Sequence, residues 1–100
     1  MAITATHLTS AGSNTDADSQ ATASITPTAN RLVLAAIGNS KGTAPATVPT
    51  LAGNGLTWVQ IGTVEFATNA APLLRITLFR AMGAAPTAGA VTITAATSLS

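Results

Sequence analysis

The chain has no cysteine and no tyrosine, a single histidine (His7) and a single glutamate (Glu65), and charged residues make up only 7% of it. Each shortage excludes something. Without cysteine there are neither disulfides nor thiolate metal sites. A charged fraction of 7%, against about 25% in ordinary soluble proteins, leaves a surface with little self-repulsion and little protection against association. The four basic residues, Arg31, Lys41, Arg75 and Arg80, are scattered, the net charge is +1, and aromatics are 3%. No basic patch with interleaved aromatics exists, so phosphate neutralisation is not expected and nucleic acid is not an expected partner. The opening residues, MAITATHL, lack a positive region followed by an apolar core, so no secretory leader is expected. No run approaches the roughly 18 apolar residues of a spanning helix, so no membrane anchor is expected either.

What is present is 47% hydrophobic residues, much of it alanine, in a length of 100 that suits one domain over 1–100. A domain of this size buries only about 60 to 65% of its unfolded surface and usually draws on disulfides, metals or oligomerisation. With disulfides gone, neighbouring copies are the natural source of extra burial.

The most readable stretch is Gly53 to Met82, GNGLTWVQIGTVEFATNAAPLLRITLFRAM. A Gly-Asn-Gly turn and a second turn at Asn69 and Pro72 bound two β-prone runs, the pattern of antiparallel strands. Leu74, Ile76 and Leu78 share one face and Arg75 and Thr77 the other, so a half-buried strand with the apolar face inward is expected. In the run before it, Val59 and Ile61 are out of phase with Val64 and Phe66; a bulge at Gly62 returns all four to one face.

Elsewhere, Ala2 to Thr9 alternates weakly and predicts an edge strand. Ser10 to Ser19 reads as a polar loop. Gln20 to Thr26 predicts a strand with Ala21, Ala23 and Ile25 inward. Arg31 to Ile37 (RLVLAAI) is apolar on both faces and predicts a central strand covered on both sides, its outer face by a neighbouring subunit. Val48 to Leu51 suggests a brief strand, and Ala90 to Ala96 a last one with Val91, Ile93 and Ala95 inward. About seven short strands separated by turns every 8 to 12 residues predict an all-β, antiparallel β-sandwich, jelly-roll or Ig-like. No helical period and no 20 to 50-residue repeat is present.

Chemistry is thinly represented. A Ser-His-Asp set drawn from His7, Asp16 and a serine has no supporting spacing, and no Gly-x-Ser-x-Gly elbow occurs. Asn14, Asp16 and Asp18 alternate like the first half of a calcium loop, but Ser19 and Ile25 stand where that loop needs glycine and glutamate. Asn14, Asp16 and Asp18 are therefore a weak calcium candidate, and a solvated loop is the simpler reading. Glu65 is placed to face Arg75 or Arg80 across a ladder, an ion pair more readily than a catalytic carboxylate. Trp58 reads first as a core or interface plug and second as a sugar-stacking platform. Thr-x-Thr pairs (Thr4/Thr6, Thr26/Thr28, Thr92/Thr94) lack the regular repeat of an ice-binding array; threonine simply suits the solvent face of a strand. No catalytic residue, no cofactor and no metal is assigned.

The runs GNGLTWVQIGTVEF and RITLFRAMGAAPTAGAVTI resemble β-sandwich modules of bacteriophage virion proteins and of large secreted bacterial proteins. The resemblance spans roughly Leu32 to Ile93, through Gly53-Asn54-Gly55-Leu56-Thr57-Trp58 and Leu78-Phe79-Arg80-Ala81. It implies further strands beyond the last one here, and hence a sheet completed by a neighbour through strand addition. The expected function is a non-enzymatic structural virion protein, a capsid decoration or tail/fibre subunit, made in the host cytoplasm. Its expected partners are its own copies and neighbouring virion proteins, with Leu32, Val33, Leu34, Ile37, Trp58 and Phe79 at the interface. The alternative is a carbohydrate- or surface-binding module using Trp58.

Overall fold

The computed structural model describes residues 2–13, 19–40, 46–68 and 71–95, and all regular structure among them is β. Six strands are present: β1 (Ser19–Ala21), β2 (Val33–Ser40), β3 (Thr50–Ala52), β4 (Val59–Thr68), β5 (Ala71–Ala81) and β6 (Thr92–Thr94). They form two antiparallel three-stranded sheets, ordered β1-β6-β3 and β2-β5-β4. Only β4 and β5 are consecutive neighbours; every other connection passes to the opposite sheet, an arrangement compatible with a β-sandwich.

Residues 2–9, expected as an edge strand, form none: they lie outside regular structure and are exposed up to Leu8, with Ile3 98% exposed. The expected strand from Gln20 to Thr26 shrinks to β1 and a single bridge from Ile25 to Gly89. Ile25 is buried as expected, but Ala21 and Ala23 are exposed. Alanine contributes too little apolar area to hold a strand face inward by itself. The last strand keeps the expected phase, with Val91 and Ala95 buried and Ile93 half-buried.

The turn at Gly53-Asn54-Gly55 carries the chain from one sheet to the other. Asn54 and Gly55 both have φ of 61°, and the Leu56 amide donates to the Gly53 carbonyl at 3.2 Å, a reversal requiring two left-handed residues in succession. The buried Asn54 then fastens a distant loop. Its Nδ2 donates to the Thr87 and Gly89 carbonyls at 3.2 and 2.9 Å, and the Thr87 amide donates back to its carbonyl at 2.8 Å.

The register of β4 against β5 shifts between Gln60 and Gly62, leaving Ile61 as the extra residue of a bulge. Val59, Ile61, Val64 and Phe66 are all exposed as a result. The bulge sits where the phase change in the sequence required it.

The core is thin. Its buried apolar residues are Ile25, Val33, Ala46, Phe79, Ala81, Val91 and Ala95, three of them alanine, while the largest fully buried side chains are Asn39, Thr77 and Pro49. Exposed leucine, isoleucine and valine side chains outnumber the buried ones. The accessible surface of 6381 Å² exceeds by roughly a fifth the surface expected of a folded monomer of 9.8 kDa, about 5200 Å².

Candidate assembly surface

In β5 the buried residues are Arg75, Thr77, Phe79 and Ala81, and the exposed ones are Leu74, Ile76, Leu78 and Arg80. This reverses the expected orientation. The alternation was legible, but the apolar face points away from the other sheet.

The polar face is held inward by what it binds. Arg75 Nε donates to the Ala46 carbonyl at 2.8 Å, its Nη1 donates to Thr63 Oγ1 at 2.8 Å, and its Nη2 pairs with Glu65. The Thr63 and Thr77 hydroxyls hydrogen-bond each other at 2.9 Å. One strand over, opposite Arg75 in register, Asn39 Nδ2 donates to the Thr47 carbonyl at 2.8 Å. Two side chains of the β2-β5-β4 sheet thus bind consecutive carbonyls of the segment leading into β3. A leucine at either position would leave a carbonyl without its donor, at a cost of about 1–3 kcal/mol where it is buried. The cluster is a fastener. Thr63 receives a hydrogen bond from the guanidinium and Glu65 is paired with it, so the two do not form a nucleophile and base.

The opposite face forms rows across three strands. Leu34, Arg80 and Val59 lie side by side; then Ala36, Leu78 and Gly62; then Gly38, Ile76 and Val64; then Ser40, Leu74 and Phe66. Eight large apolar side chains on it, Leu34, Val59, Ile61, Val64, Phe66, Leu74, Ile76 and Leu78, are each between 40 and 65% exposed. Each is about half exposed, and together they make a contiguous apolar patch of the kind that marks an interaction surface. Arg80 is the only charge on this face among the described residues, and it lies in the end row.

Of the residues expected at an interface, Leu32 and Leu34 are exposed, and Ile37 and Trp58 are half-buried. Val33 and Phe79 are corrected to core positions, 9% and 4% exposed, because their parity turns them toward the other sheet. The strand expected to be central, β2, is an edge strand, and β5 is the central one. Of the outer-face residues, Leu74, Ile76 and Leu78 are the ones expected to face inward, because their strong apolar alternation suggests a core.

A cleft of about 1220 Å³ opens beside β2, lined by residues 2–13, by residues 31–38, by Trp58 and by parts of β1 and β6. Trp58 Nε1 donates to the Gly53 carbonyl at 3.3 Å. His7 is exposed on the segment flanking this cleft. The calcium candidate, Asn14, Asp16 and Asp18, lies outside the described residues; among the described residues no group of three acidic, histidine or cysteine side chains gathers to hold a metal. No described helix is long and apolar enough to cross a membrane.

No family model, no curated protein and no solved structure matches the chain.

Proposed function

We propose that the chain is a non-enzymatic structural subunit of a virion, a bacteriophage capsid decoration or tail/fibre protein that packs against its own copies and against neighbouring virion proteins. The observation that carries this reading is the apolar outer face of the β2-β5-β4 sheet, which the single chain leaves uncovered. Low charge supports it: with 7% charged residues, many copies sit close together without strong repulsion.

The strand order supports a jelly-roll reading over an Ig-like one. The last strand lies between the first and third, and the fifth between the second and fourth, as in a long hairpin rolled up on itself. Jelly rolls are frequent in viral capsids and also in lectins, so the analogy of fold serves two functions and decides neither. The lectin-like alternative has one observation of its own, the half-buried Trp58 lining the cleft. The outer face is the larger unexplained feature and favours assembly.

Light scattering on the purified chain, with electron micrographs of it alone and mixed with its source particle, tests the reading. A defined oligomer that decorates or joins the particle is expected. A 9.8 kDa monomer at high concentration that leaves particles bare contradicts it.

A further inference from the structure

Residues 2–9 and strand β2 face each other across the cleft, yet neither completes the other. The segment is exposed at nearly every position, and among the described residues no backbone hydrogen bond ties residues 2–12 to the body. Its attachment is at its far end, where Gln20 Nε2 donates to Ser13 Oγ at 3.3 Å. On the other side of the cleft, β2 is an edge strand of eight residues with β5 on one side only. Every residue from 31 to 38 lines the cleft, whichever way its side chain points. A wall built by both faces of residues 33–38 is the strand's edge there, along which no second strand pairs among the described residues.

The two halves match in length and texture. Residues 2–9 are eight residues, the same as β2, and in strand conformation would span about 26 Å at roughly 3.3 Å per residue. Ile3 and Ala5 alternate with Thr4 and Thr6, as a strand between a core and solvent requires, and no acidic or basic side chain interrupts them apart from His7. Within its own chain the segment reaches the cleft and still forms no rung with β2. The match in length and alternation is thus unused within one copy.

We infer that residues 2–9 of a second copy add to the free edge of β2, as an exchanged strand that closes the cleft and links the copies. Main-chain bonds along the edge give the affinity, and Ile3 enters the apolar side of the cleft beside Ile93 and Leu51. The inference deepens the self-association reading and rests on it, but uses an edge and not the outer face.

The test places a photo-crosslinking residue, p-benzoylphenylalanine, at the exposed Ala5 of the full chain. Labelled (¹⁵N) and unlabelled chains are unfolded, mixed in equal amounts, refolded together, irradiated and mapped by mass spectrometry, with light scattering on the same sample. Cross-links from position 5 to residues 33–40 are expected, about half of them joining a labelled to an unlabelled peptide. Cross-links confined to peptides of the same label, or landing away from β2, overturn the exchange. If the sample is nonetheless oligomeric, only the exchange falls and self-association stands. If it is monomeric, both fall.

Discussion

Glu65 and Arg75 face each other across the ladder between β4 and β5, and the arginine of the pair is buried while the glutamate side chain is 40% exposed. The asymmetry says what the pair is for. Arg75 serves the Ala46 carbonyl and the Thr63 hydroxyl as well as the carboxylate, so the carboxylate is one acceptor among three.

Removing the two partners should therefore have unequal effects. Arg75→Met strips three acceptors of their donor, the Ala46 carbonyl among them buried, and is expected to destabilise the chain by about 2–4 kcal/mol. Glu65→Gln keeps the shape and an acceptor at a half-exposed position, and about 1 kcal/mol or less is expected. Urea unfolding midpoints measure both. Equal, small losses would show that the inner polar cluster does not fasten the segment before β3.

Two glycines give a contrast of opposite sign. At Gly53, with φ of 128°, an added Cβ would lie 2.6 Å from the Ala90 carbonyl oxygen, and Gly53→Ala is expected to cost about 2 kcal/mol or more. At Gly38, within β2, nothing lies within 4 Å of the added Cβ, and Gly38→Ala is expected to stabilise the strand by about 0.5–1 kcal/mol. Thermal unfolding of the two variants side by side checks the backbone geometry at both sites.

Trp58 is the only tryptophan, so its emission reports on one place. With its indole N–H bound to the Gly53 carbonyl, it is expected to act as a plug. Adding oligosaccharides at millimolar concentration should leave the emission unchanged, and Trp58→Phe should cost about 0.5–1.5 kcal/mol for the lost hydrogen bond. Saturable quenching by a glycan would favour the lectin-like alternative instead.

The parts of the fold legible in the sequence were those with local causes. The Gly53-Asn54-Gly55 turn needs left-handed backbone, the bulge follows from a phase change, and the alternation of Val91, Ile93 and Ala95 marks an inward face. What was not legible depends on partners distant in the chain. A period of two shows that Leu74, Ile76 and Leu78 share a face, but not which way the face turns. That was settled by Ala46 and Thr47, whose carbonyls draw Arg75 and Asn39 inward across 29 and 8 positions of sequence. The same holds for residues 2–9, which alternate but pair with no strand among the described residues. For β2, apolar residues on both faces predicted cover on both sides; the chain supplies it on one.

The central claim is that the outer face of the β2-β5-β4 sheet is an interface. Ile76→Asp puts a charge in the middle of it, at a site already 41% exposed, where the fold of the single chain loses little. Sedimentation velocity of the unaltered chain and of this variant, over a hundredfold range of concentration, tests the claim most directly. The account predicts an oligomer for the first and a folded monomer for the second, with similar far-ultraviolet circular dichroism. An unaltered chain that sediments as a monomer throughout, or an aspartate variant that assembles just as well, would contradict it.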